Sequence, residues 1–151
     1  MKVAVIGTGI AGVTVAKRLA ALAHVNVEIF DKSRGTGGRM SVRHAGEHSF
    51  DHGAQFFTAR TRTFKDFLAD YRAAGVVVEW QPKIATLSPA AILDHRIWGE
   101  PHFVALPDMN GLCKVISRDL DVRLDTQVHS IEKNDGGWWV KTVKETFGPY
   151  D

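Results

Sequence analysis

The spacing of hydrophobic and polar positions changes twice within the first 30 residues. Residues 2–6 form an apolar run with Val3, Val5 and Ile6, the pattern of a strand covered on both faces. Over residues 12–23, Val13, Ala16, Leu19 and Ala20 fall at helical spacing. Residues 25–30 return to strand, which predicts a β-α-β unit with parallel strands and a right-handed crossover.

Residues 33–38 read as a glycine-rich loop. Residues 40–43 and 47–51 pair as a hairpin turning near Ala45 and Gly46. The clearest amphipathic helix spans 61–74, with Phe64, Phe67, Leu68 and Tyr71 on one face and Thr63 with Asp66 as a capping box. A short strand at 76–80 leads into a stretch that reads as irregular up to Pro107. Residues 110–120 form a helix, 122–133 alternate as one strand, and 138–143 form another after the turn residues 134–137. Trp138 and Trp139 then cover opposite faces, one of them inward. The ending "FGPYD" carries no pattern of a capping element.

Composition narrows the class. A chain of 151 residues, 44% hydrophobic and 24% charged, fits one globular domain. No apolar run approaches the roughly 18 residues of a membrane-spanning helix, and the direct entry into a strand shows no secretion signal. The one cysteine, Cys113, fits a reducing cytoplasm and reads as a buried structural thiol. A net charge of +2 with scattered basic residues argues against a nucleic-acid partner. His44, His48 and His52 recur every four residues, but on a hairpin their rings need not share a face, so no metal is expected. Arg60, Arg62 and Lys65 lie near a helix start, where cations oppose the macrodipole. They read as solvated surface, with attraction of a phosphate-bearing substrate as the alternative.

Gly7, Gly9 and Gly12 fit G-x-G-x-x-G between a strand and a helix. The first glycine makes the turn and the second admits a pyrophosphate. The third lets helix and strand pack closely, and the helix N-terminus faces the anion. Asp31 ends the second strand 19 residues past Gly12, where a carboxylate accepts hydrogen bonds from a free ribose, as in NAD or FAD. The following "KSRGTGGRM" adds Gly35, Gly37 and Gly38 between Arg34 and Arg39, a second cradle of backbone N–H groups and guanidinium. A plain nicotinamide-binding domain has no need of it.

Together "GTGIAG", "DKSRGTGGRM" and "FDHGAQFFTAR" resemble the N-terminal half of the renalase-like flavoproteins, within the FAD-dependent amine oxidase and protoporphyrinogen oxidase superfamily. The resemblance implies an α/β fold: an FAD-type Rossmann-like parallel sheet with an inserted, partly irregular α+β substrate region. It implies FAD contacts from Gly7, Gly9, Ile10, Ala11, Gly12, Asp31, Lys32, Arg34, Gly38, Arg39, Met40 and, through adenine, Val128. Gly53, Ala54 and Gln55 would pass near the flavin, with Gln55 and His52 as candidates to meet ring or substrate. Residues 1–60 would be the β-α-β unit, Gly-Gly-Arg loop and hairpin. Residues 61–107 would be part of the substrate region, and 108–151 the return helix and strands. Members of the group are about twice as long, so the C-terminal half is expected to be missing. They carry a glycine before the Pro-x-Met, where this chain has Ala105 and Leu106. The implied activity is oxidation of dihydro-NAD(P) isomers by FAD and O2, giving H2O2. A flavin amine oxidase, an NAD-binding dehydrogenase domain and a non-catalytic remnant are the alternatives.

Overall fold

A computed structural model describes residues 1–89, 91–96 and 99–151, with backbone alone for 92–96. In chain order the elements are β1 (Lys2–Ile6), α1 (Ile10–Ala20), β2 (Asn26–Phe30), β3 (Val42–Ala45), β4 (His48–Asp51) and β5 (Phe57–Thr58). Then come α2 (Arg62–Ala73), β6 (Val77–Trp80), β7 (Ile84–Leu87), β8 (Ile92–Arg96) and β9 (His102–Ala105). The chain finishes with α3 (Gly111–Ser117), β10 (Asp121–Arg123), β11 (Val128–Asn134), β12 (Gly137–Thr142) and β13 (Thr146–Tyr150).

The expected β-α-β unit is present. β1 and β2 run parallel with Lys2 opposite Asn26 and Ile6 opposite Phe30, and β10 joins β2 in parallel on its other edge. Alternation along β2 decides what each face meets. Val27 and Ile29 pack with Ala16 of α1 and with Leu19, Leu120 and Val122. Phe30 points the other way, into a cluster with Val140 and Tyr150 of the antiparallel β11-β12-β13 sheet. On that same side Glu28 accepts the Tyr150 hydroxyl and ion-pairs with Lys2 at 3.3 Å. A helix, a parallel sheet and an antiparallel sheet are thus stacked in three layers, in an α/β architecture as read from the sequence.

The largest core joins this unit to the inserted region. Val13, Met109, Leu112, Cys113 and Ile116 meet Leu68 of α2 and Val77, Phe103 and Ala105 of the antiparallel β5-β9-β6 sheet. Leu68 is fully buried, a burial that contributes about 1.5–3 kcal/mol. Cys113 is fully buried too, and burial pushes its thiol pKa up to about 11. Its thiolate at neutral pH should therefore be about 100-fold scarcer than that of an ordinary cysteine. A thiol reagent should label it slowly in the native protein and at once in denaturant; rapid native labelling would contradict this packing.

Several expectations are corrected. α1 starts at Ile10, because Gly9 O already accepts Val13 N at 3.1 Å, and it ends at Ala20, where Leu22 turns back onto Leu19 O. The capping box of Thr63 and Asp66 does not form. Thr61 is the N-cap, accepting Phe64 N, while Asp66 pairs with Arg62 at 3.5 Å. The stretch up to Pro107 is not irregular but holds the β7-β8 hairpin and β9, the middle strand of its sheet. The single strand expected over 122–133 is two strands, β10 and β11, in different sheets. The break falls at Asp125, whose φ is +51°, and is fastened by Asp125 N to Ser33 O at 2.9 Å and Thr126 N to Asp31 O at 2.8 Å. "TFGPY" is β13, and Asp151 continues it onto Lys2 through two hydrogen bonds. Neither tryptophan is inward. Trp138 is 40% exposed and Trp139 is half-buried, while Val140 enters the core.

Candidate dinucleotide site

The two glycine loops are built against each other. Gly7 takes φ +103°, a conformation side chains avoid, and its N–H reaches Phe30 O at 2.7 Å. The chain then crosses the end of β2, where Thr8 donates twice to one oxygen of Asp31, from N at 2.6 Å and from Oγ1 at 2.5 Å. Ser33 N donates to the other oxygen at 2.8 Å. A carboxylate has about four acceptor positions, so Asp31 keeps one for a ligand. Burial raises its pKa, and the bonds from Thr8 and Ser33 outweigh that, so the net shift is downward and the group is held as an anion.

From Thr8 the second loop is taken up directly. Gly37 N donates to Thr8 O at 3.0 Å, and Gly9 bridges Gly37 in parallel. A Cβ on Gly38 would stand 3.1 Å from Gly9 Cα, so the loops touch backbone to backbone. Gly12 packs α1 onto β1: a Cβ there would lie 1.9 Å from Gly7 O. Gly9, the N-cap of α1, offers no capping side chain. The first N–H groups of α1, at Ile10, Ala11 and Gly12, precede its first helical bond and have no partner within the helix. The Ala11 and Gly12 N–H groups are thereby left as donors that an anion can meet.

The other predicted residues are placed as follows. Lys32, Arg34, Gly38 and Arg39 are exposed around the loop, whereas the Met40 side chain is buried in the main core beside Val13 and Met109. Gly53 lies beneath Arg39. A Cβ there would meet Arg39 O at 2.1 Å, and Ala54 N bonds that carbonyl at 2.7 Å. Gly53 thus lets the "DHGAQ" loop dock on the second glycine loop. Asp51 ties the same loop to Met109 N at 3.0 Å. Gln55 is exposed, and exposed His52 lies 3.4 Å from Ser41 Oγ. Val128 pairs with Thr142, and its side chain joins the Phe30 cluster, leaving its backbone as the group to meet a ligand. Among the described residues, no group of three or more His, Cys, Asp or Glu side chains is placed to hold a metal ion, His44, His48 and His52 included. Arg60 is engaged with Glu100 at 2.9 and 2.6 Å and Arg62 with Asp66, in keeping with solvated surface.

Sequence reasoning missed Thr8 and Ser33 as the groups that orient Asp31. The signal was there in "DKS", since an aspartate commonly accepts the N–H two residues on in an Asx turn. Nothing in the sequence marked Thr126 or Asn110, which reach this region by tertiary folding.

The parallel β1-β2 pair, α1 and the glycine turn between them make a Rossmann-like β-α-β unit. Residues 5–71 match the NAD(P)-binding Rossmann-like domain family. A 4,4'-diapophytoene desaturase (4,4'-diaponeurosporene-forming) of Staphylococcus aureus (strain Newman) is 35% identical over 78 residues, 45% of this chain and 15% of the relative. Two crystal structures share the fold over 97% of this chain. A candidate protoporphyrinogen oxidase from Exiguobacterium sp. 255-15 has a TM-score of 0.70 at 10% identity, covered over 57% of its length. The tetracycline destructase Tet(51) has a TM-score of 0.65 at 16% identity, covered over 36%. The chain therefore spans only part of each relative's length. The match to a dinucleotide-binding family agrees with a dinucleotide as the ligand read from the sequence. The residues present fit FAD: an uncapped helix N-terminus, a ribose-facing carboxylate and a second glycine loop for the diphosphate. Among the described residues no helix is long and apolar enough to cross a membrane.

Proposed function

We propose that the protein is an oxidoreductase that binds FAD in this cradle and oxidises a reduced nicotinamide compound, a dihydro-NAD(P) isomer, with O2 as acceptor. The observation that carries the cofactor assignment is the backbone bridge between Gly9 and Gly37, which holds two donor-rich loops together where one diphosphate can meet both. FAD held there would supply the redox chemistry, a two-electron oxidation of the substrate coupled to reduction of O2 to H2O2. The chain's own residues bind and orient. The Asp31 anion takes a ribose hydroxyl, the N-terminus of α1 and the Gly38–Arg39 backbone take phosphate oxygens, and the Arg39 guanidinium adds a charge-assisted bond. Gln55 offers an exposed amide to the ring or to a nicotinamide carboxamide.

The choice of substrate rests on the combination "GTGIAG", "DKSRGTGGRM" and "FDHGAQFFTAR", which resembles renalase-like flavoproteins. The pairing of Arg60 with Glu100 and of Arg62 with Asp66 removes those cations as support for it. Denaturing protein purified from cells should release FAD, and anaerobic mixing with dihydronicotinamide isomers should bleach the flavin within seconds. Bleaching by primary amines or polyamines alone would replace this reading with an amine oxidase, and absence of flavin after incubation with excess FAD would end both.

A further inference from the structure

We infer that the free edge of β1 is an interface for a second copy of this chain, whose own β1 pairs with it antiparallel and joins the two parallel sheets into one. β1 is the outer strand of the β1-β2-β10 sheet. Bonds from Asn26 N to Met1 O and from Gly7 N to Phe30 O fix the phase of its ladder. Odd-numbered residues therefore turn their backbone groups to β2, and even-numbered ones turn theirs outward. Of the outward groups, Lys2 N and Lys2 O are taken by Asp151. The N–H and C=O of Ala4 and Ile6 have no partner among the described residues.

Native proteins block an exposed edge with a charge, a proline or a bulge. β1 has none of these beyond Lys2, whose ammonium is turned onto Glu28 at 3.3 Å. Residues 3–6 are all apolar, and Ile6 is 56% exposed. The open window is short and bounded. Asp151 closes it at Lys2, and from Gly7 the chain turns away over the end of β2. A strand running on past this window would collide with Asp151. A second β1 would not, because antiparallel pairing brings its turn at Gly7 opposite Val3, before Asp151 is reached. The pairing is also self-complementary about Val5. Ala4 of each copy exchanges both backbone bonds with Ile6 of the other, and the two Val5 residues meet at the two-fold axis. Val5 packs on the α1 side of the sheet and Ala4 on the side of the antiparallel sheet. An axis perpendicular to the sheet therefore sets like layers beside like.

The test is analytical ultracentrifugation of the full chain over a range of concentrations, with amide hydrogen exchange followed by NMR on the same samples. A reversible monomer–dimer equilibrium should appear. The Ala4 and Ile6 amides should exchange freely in the monomer and slow by about 10-fold or more as the dimer fills, while Val3 and Val5 stay protected throughout. Ala4→Pro removes only an outward N–H, a change that edge strands tolerate. It should weaken dimerisation by about 10-fold or more through the lost bonds. Ile6→Lys, at a position exposed in the single chain, should act alike by supplying the charge that this edge lacks. A protein that stays monomeric, an open-ended assembly, or a dimer indifferent to both substitutions would each overturn the proposal. So would Ala4 and Ile6 amides protected at every dilution, the result if a strand of the same polypeptide held the edge.

Discussion

An alanine at Gly9 is expected to leave the fold intact and to weaken FAD binding about 100-fold or more, the scale of losing one or two hydrogen bonds to a charged group at about 1.5–3 kcal/mol each. The backbone there has φ −67° and ψ 169°, ordinary for any residue. An added Cβ would meet no protein atom nearer than Gly38 Cα at 3.9 Å. The methyl therefore enters only the space in which a diphosphate must approach the Ile10 and Ala11 N–H groups. The same methyl at Gly12 would fall 1.9 Å from Gly7 O, a backbone collision that forces α1 off β1, so Gly12→Ala should fail to fold or melt far below the parent. FAD affinity from flavin fluorescence quenching, set beside thermal melting, separates the two. A Gly9→Ala protein that binds FAD as the parent does would place the diphosphate elsewhere. A Gly12→Ala protein that melts normally would refute the packing of α1 on β1.

The division between these glycines shows what the sequence carried and what it did not. Gly12 was legible as a packing residue because its role depends on a strand of five residues and a helix of eleven, both visible as periodicity. Gly53 was not. It was read as an approach to flavin, yet its nearest constraint is the carbonyl of Arg39, brought opposite by the β3-β4 hairpin, whose pairing was legible but whose register, Val42 to Asp51, was not. The strands hidden before Pro107 have the same origin. β9 alternates over only four residues, His102 to Ala105, too few for a period to stand out, and it becomes a central strand because β5 and β6 flank it. Val122 and Val128 looked like one strand because Leu124 and Thr126 continue the alternation. What separates them is the left-handed Asp125 and its bond to the Ser33 carbonyl, a long-range contact. Asp31 lies between these cases: its position was fixed by spacing from the glycines, but its three hydrogen bonds from Thr8 and Ser33 appear only in three dimensions.

Those three bonds make Asp31 structural before any cofactor arrives, and Asp31→Asn should cost about 2–4 kcal/mol of stability in the FAD-free protein. The buried carboxylate accepts three hydrogen bonds. An asparagine of the same shape can accept on one atom only, so its NH2 faces donors from Thr8 or Ser33, and each stranded buried donor costs roughly 1–3 kcal/mol without full additivity. The effect has a pH signature. The folded pKa of Asp31 lies below the ordinary value of about 3.9. Its stabilising share is thus complete above that value and is lost as pH falls toward the depressed folded value, where the unfolded chain binds the proton first. Glu28, also shifted downward despite burial by its bonds to Tyr150 and Lys2, has the same sign, so the parent and the variant will both soften in acid. The difference between their melting temperatures isolates Asp31: large and constant from pH 5 to 8, then shrinking below about pH 4 as the parent loses what the variant never had. A difference that stays constant into acid, or a variant as stable as the parent at pH 7, would show that Thr8 and Ser33 do not depend on the Asp31 anion.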